Sequence, residues 1–146
     1  MNKINIDHIG IATHSITDSI TIWELLGFKK SGQHIVEDQG VKVQYLSPSE
    51  GPKIELLEPL SKDTPIGKFL LNNGPGIQQI AICVDNIIDI IVKLKSFGIQ
   101  MINEVPTQGA DGRLISFIHP NSTGGVLIEL IQHKITNNQK MLKINR

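Results

Sequence analysis

His8-Ile9-Gly10-Ile11-Ala12 is followed, 71 residues later, by Gln79-Ile80-Ala81-Ile82-Cys83. Both stretches alternate. Ile9 and Ile11, and Ile80 and Ile82, fall on one face of an extended strand because successive side chains point to opposite faces. Carried onward, the same spacing sets Ile16 on Ile87, Asp18 on Asp89, Ile20 on Ile91, Trp23 on Leu94 and Gly27 on Gly98. Ile54-Glu55-Leu56 then repeats as Ile128-Glu129-Leu130 at a spacing of 74, so three inserted residues separate the two registers. Apolar positions and turn punctuation are preserved together, which marks a duplicated unit.

Each copy reads as β-α-β-β-β. The opening strands are expected over residues 4–13 and 77–84, where β-branched residues abound. Ser15 with Asp18, and Asn86 with Asp89, place a capping side chain and a carboxylate at a helix start. Ile16, Ile20 and Trp23, and Ile87, Ile91 and Leu94, make one helical face in each half. Gly27 and Gly98 stand where a left-handed C-cap is wanted. Shorter strands are expected near 28–36, 41–47 and 53–58, and near 99–104, 113–118 and 125–132. The turn-rich stretches Ser47-Pro48-Ser49-Glu50-Gly51-Pro52 and Pro120-Asn121-Ser122-Thr123-Gly124-Gly125 separate them. The expected organisation is α+β in one domain over 1–133: module one 1–60, a linker 61–75 with a short helix over 65–71, and module two 76–133. A basic tail, 134–146, reads as a solvated terminus.

A formal net charge of zero argues against a nucleic-acid binder, which needs surplus Lys and Arg to displace counterions. Asp85, Asp89 and Lys93 interrupt the richest apolar stretches, so no membrane span is expected. The first residues run straight into a strand pattern, leaving no room for a signal peptide. Cys83, the single cysteine, has no internal disulfide partner, and a reducing cytoplasm is the simplest compartment. It reads as a buried apolar residue rather than a nucleophile.

Strand parity supplies the chemical clue. With Ile9 and Ile11 packed on the helix, His8 and Gly10 face the other way, and so do Gln79 and Ala81. Glu55 and Glu129 each interrupt an otherwise apolar strand. A lone buried carboxylate costs several kcal/mol unless a cation or hydrogen bonds compensate it, so two at equivalent positions call for a shared cause. A metal ion held by His8, Glu55, Gln79 and Glu129 is such a cause. One imidazole nitrogen and three oxygens suit an octahedral divalent ion with two positions left for water or substrate. Gly10 and Ala81 are expected to leave that substrate space. Taken singly, His8 reads as a hydrogen-bonded core histidine and either glutamate as a solvated edge residue; the paired placement outweighs those readings. His14, His34 and His133 are expected at exposed element ends, and His119 either orients a ligand or serves the turn at Pro120.

At these residues the chain resembles the vicinal oxygen chelate (glyoxalase/bleomycin resistance/dioxygenase) superfamily, and within it the methylmalonyl-CoA epimerases. The resemblance runs over residues 6–132. It is carried by Asp7-His8-Ile9-Gly10-Ile11-Ala12, Ile54-Glu55-Leu56-Leu57-Glu58-Pro59-Leu60, Asp63-Thr64-Pro65-Ile66-Gly67-Lys68-Phe69-Leu70 and His119-Pro120-Asn121-Ser122-Thr123-Gly124-Gly125-Val126-Leu127-Ile128-Glu129-Leu130. It implies paired modules forming a cupped mixed sheet around one divalent ion (Co, Mn, Ni, Mg or Zn), a homodimer and a small acyl-CoA substrate. It implies, too, α-proton abstraction with a metal-stabilised enolate, Glu129 serving as ligand and base and Glu55 as the second participant. The chain departs from the family pattern at Gln78-Gln79, where a His-His pair is usual, at Asn121 for Lys, and at Asp111 for His. Val43 stands where some members carry a second catalytic glutamate. Glyoxalase I is the alternative enzyme, since some members use two Glu, one Gln and one His. A non-catalytic small-molecule-binding protein of the same fold is the alternative from another class. An extradiol dioxygenase fits poorly, since its iron site wants two histidines.

Overall fold

The computed structural model describes residues 3–134, so all but the first residue of the expected tail lies outside the described residues. Eight strands and three helices follow in the order β1 (Asn5–Ala12), α1 (Ile16–Leu26), β2 (Lys29–Val36), β3 (Val41–Ser47), β4 (Lys53–Pro59), α2 (Pro65–Asn73), β5 (Gly76–Val84), α3 (Ile87–Ser96), β6 (Thr107–Gln108), β7 (Leu114–Ile118) and β8 (Ile128–Gln132). Short 3-10 turns at Glu37–Gln39 and Pro120–Ser122 complete the chain. The strands form one sheet in the order β2-β3-β4-β1-β5-β8-β7-β6. It is mixed: β1 runs parallel to β4 and β5 parallel to β8, while β1 and β5 meet antiparallel. The order is palindromic about the β1–β5 seam, as a duplication joined through its first strands requires.

The repeat governs local detail. Ser15 Oγ accepts the Asp18 amide hydrogen at 3.2 Å and Asn86 Oδ1 that of Asp89 at 3.1 Å, so each helix begins on its expected cap. The last strand of each module adds a second cap: Glu58 Oε2 accepts from Ile16 N, and Gln132 Oε1 from Ile87 N. Gly27 and Gly98 both take positive φ, closing α1 and following α3.

One layer of the core lies under the helices, and another lies on the opposite, concave face. Ile9 and Ile11 pack with Ile16, Ile20, Leu46 and Leu56 beneath α1, and Ile82 and Val84 with Ile87, Ile91 and Leu130 beneath α3. On the concave face, Val41, Val43, Tyr45 and Leu57 pack with Ile66 and Leu70 of α2, while Ala81, Cys83, Ile115 and Ile131 form the module-two counterpart. The linker helix thus covers one half of the concave face and has no equivalent in the other among the described residues. It starts on Thr64, whose hydroxyl accepts from Gly67 N, with Pro65 in the first turn.

Two expectations fail. Residues 99–104 do not form a strand: Met101 makes a single bridge to Ile118, and pairing resumes only at Thr107–Gln108. Pro106 cannot donate to a ladder, and Asn103 instead binds the neighbouring strand, its Oδ1 accepting from Phe117 N and its carbonyl from Ser116 Oγ. The last strand begins at Ile128 rather than 125, because Gly124 and Gly125 hold positive φ to complete the preceding turn. Ser15→Ala and Asn86→Ala should each lower unfolding free energy by about 1 kcal/mol, read as a shifted urea midpoint with an unchanged slope.

Candidate functional site

The β1–β5 seam carries two bulges, one in each strand. Asp7 is the extra residue between the pairs Ile6–Ile82 and His8–Ala81, and Gln78 the extra residue between Gly10–Gln79 and Ile11–Ile77. The 71-residue spacing sets these two positions on each other. A bulge breaks the period-two alternation, so two adjacent residues can share a side of the sheet. Hence Asp7 and His8 act together, as do Gln78 and Gln79.

His8, Glu55 and Glu129 converge, fully or almost fully buried. One donor atom from each lies within 4.8 Å of the others. His8 Nε2 faces Glu129 Oε2 at 3.1 Å and pairs with Glu55 Oε2 as well. A single Nε2–H serves one acceptor at most, and Glu55 Oε2 has no hydrogen bond of its own. Gln79 joins through its amide, with Nε2 donating to Glu129 Oε2 at 2.7 Å. The structure therefore brings all four predicted residues together. As drawn, Gln79 presents nitrogen to the cluster, and turning its amide would present the oxygen.

Behind His8 stands a chain of ion pairs that parity reasoning missed. His8 Nδ1 donates to Asp7 Oδ2 at 2.7 Å, and Arg113 Nη2 donates to the same oxygen at 3.1 Å and ion-pairs with Asp7 Oδ1 at 3.0 Å. Arg113 Nε is held in turn by Asp111 Oδ2 at 2.7 Å. This fixes the imidazole ring and leaves Nε2 pointing at the carboxylates. Burial opposes charge on His8, but the carboxylates of Asp7, Glu129 and Glu55 around the ring override it and push its pKa up to about 12. Burial would raise the Asp7 carboxyl, yet His8, Arg113 and Lys53 hold it well below the usual carboxylate range. Burial and the neighbouring Glu55 charge raise Glu129. Two adjacent polar residues in a period-two strand, at equivalent places in both modules, were the available signal for the bulges.

A cleft of about 330 Å3 opens onto the cluster from the concave face. Glu55, Gln79 and Glu129 line it together with Val43, Leu57, Phe117 and other largely apolar side chains. Tyr45, opposite Glu55 in the β3–β4 ladder, lines it too and meets the His8 ring edge-on at 5.5 Å. Burial, Glu55 and Glu129 raise its phenol, which stays neutral. Among the described residues lining the cleft, none is Lys or Arg. Gly10 and Ala81 do not provide this space. A Cβ at Gly10 would stand 2.6 Å from Gln79 Cγ, so the missing methyl makes room for Gln79, and Ala81 is sealed in the module-two core.

The remaining histidines take other roles. His14 is exposed, as expected. His34 and His133 are half-buried instead, His34 against Tyr45 and His133 between the Cys83 thiol and the Lys3 carbonyl. His119 Nδ1 accepts from Asn121 N, which assigns it to the turn. Cys83 is buried, and burial raises its thiol.

Asp7 carries a pH test. Its carboxyl is depressed in the folded state, so its stabilisation is complete above the ordinary value of 3.8 and is lost as pH falls from there toward the lower folded value. Asp7→Asn should flatten this acid limb, read as the melting temperature against pH below 4.

The fold recurs in known proteins. The model of the glyoxalase/bleomycin resistance protein/dioxygenase superfamily matches residues 7–117. The human mitochondrial methylmalonyl-CoA epimerase is 35% identical over 133 residues, covering 90% of this chain and 75% of that protein. An uncharacterized Bacillus subtilis protein is 39% identical, covering 92% and 94%. Among solved structures, methylmalonyl-CoA epimerase from Mycobacterium tuberculosis superposes with a TM-score of 0.85 at 34% identity, covering 95% of this chain and 91% of that one. With the family model spanning most of its length, the chain belongs to the glyoxalase/bleomycin resistance protein/dioxygenase superfamily.

Proposed function

We propose that this protein is a metal-dependent methylmalonyl-CoA epimerase. The observation that carries the reading is the meeting of two buried carboxylates, Glu55 and Glu129, at one histidine on the wall of an apolar cleft. The relatives named methylmalonyl-CoA epimerase supply the substrate class.

The donor set fits a divalent cation. Two carboxylates share one imidazole N–H, so acceptors outnumber protons, and Glu55 Oε2 is left buried without a hydrogen bond. His8, Glu55 and Glu129 would hold the ion, with Gln79 joining through its amide oxygen. One nitrogen and several oxygens favour Co2+, Mn2+, Ni2+ or Mg2+ over the closed tetrahedral site of structural zinc. When bound, such an ion withdraws negative charge from the substrate oxygens as an enolate forms.

The chain's own groups supply the rest. Among the described residues that line the cleft none is Lys or Arg. Glu129 removes the α-proton; burial already raises its basicity. The return of a proton falls to Glu55, its counterpart across the seam, a role Val43 cannot fill. Asp7 and Arg113 hold the His8 ring while charge shifts at Nε2. The apolar walls exclude water from the carbanion face.

In D2O the wild type should interconvert the two methylmalonyl-CoA epimers with solvent deuterium entering the α-carbon, and Glu129→Gln should lower both rates by at least about a hundredfold. Methylglyoxal with glutathione is the matched control. Lactoylglutathione formation without exchange into methylmalonyl-CoA would move the assignment to glyoxalase I.

A further inference from the structure

Asp7 and Gln78 hold the same place in the two modules, each the extra residue of its bulge. Their surroundings differ. Asp7 is paired by His8 and Arg113. Arg113 stands four residues before Phe117, which faces Glu129 across the β7–β8 ladder. Four residues before Tyr45, which faces Glu55 in the same manner, stands Val41. The position that supplies a guanidinium in module two therefore supplies a buried isopropyl group in module one. Gln78 Oε1 is consequently buried with no hydrogen-bond partner among the described residues, on a side chain that lines the cleft with Val41, Leu57 and Ile66.

An unmet buried acceptor carries its full desolvation cost, and native structures retain one where something outside the chain completes it. Gln78 lines the cleft, so a turn of its side-chain amide brings a polar atom to a ligand there, and it is the direct neighbour of Gln79, which reaches the cluster. A ligand lying from the cluster along this wall brings its next segment past Gln78.

We propose that Gln78 is a substrate-contacting residue whose amide oxygen accepts a hydrogen bond from the amide N–H of the pantetheine arm nearest the thioester. The inference rests on the acyl-CoA reading above. The reacting end of such a substrate, a carboxylate and a thioester carbonyl, offers only acceptors. The first donor it presents is the amide N–H two carbons beyond sulfur. Gln78 thus distinguishes an acyl-pantetheine thioester from a simple one, and it does so in binding rather than in proton transfer.

The test pairs two small substrates, the methylmalonyl thioester of N-acetylcysteamine and its analogue with an ester oxygen in place of that N–H. Wild type should use the amide about tenfold better, chiefly through KM. Gln78→Met, which keeps the length, and Gln78→Leu should bring the preference to within about twofold while kcat changes little. Equal use of both substrates by wild type overturns the proposal without requiring any variant to fold. A preference that survives both variants overturns it as well, assigning the discrimination to other groups. Failure of wild type to epimerise these thioesters and methylmalonyl-CoA alike overturns the epimerase reading, and this inference with it.

Discussion

Two buried carboxylates and one imidazole share the floor of a cleft, and His8 Nε2 is the point where they meet. Like charges this close raise each other's cost of ionisation unless a cation lies between them. Asp7 behind the His8 ring and both glutamates in front of it favour a proton on the imidazole. The neighbouring structure can be traced to this arrangement. The β1 bulge brings Asp7 beside His8, Arg113 neutralises Asp7, and Asp111 anchors Arg113. Gly10 is bare so that Gln79 can lie across it and reach Glu129.

Duplication built the frame, and divergence between the copies made it a single directional site. His8 answers Gln79, Asp7 answers Gln78, Tyr45 answers Phe117, and Arg113 answers Val41. In module two the space beside the bulge is filled by ion pairs; in module one it belongs to the cleft, roofed by α2. A symmetric pair of glutamates thus stands in an asymmetric cavity, as a reaction that treats the two faces of one carbon differently requires.

Much of this was legible in the sequence. The 71-residue spacing carried both modules, the capping residues Ser15 and Asn86, and the quartet itself, because each rests on local periodicity or local capping chemistry. What escaped depends on backbone irregularity and distant pairing. Strict alternation places Asp7 and Gln78 on the wrong side of the sheet, and only the bulges correct it. Arg113 is 106 residues from Asp7, and nothing local announces their contact. The missing strand at 99–104 followed from assuming that the second copy repeats the first, when Pro106 and the Asn103 side chain had changed the pairing.

The most direct test of the account is calorimetric titration of metal-free protein with Mn2+ or Co2+ near pH 7, run in buffers of different ionisation enthalpy. The surrounding carboxylates raise the proton affinity of His8, and a metal ligand must be deprotonated. One ion should bind per chain with release of about one proton, and Glu55→Ala or Glu129→Ala should abolish tight binding. Absence of stoichiometric binding by either ion, or binding that survives both substitutions, would contradict it.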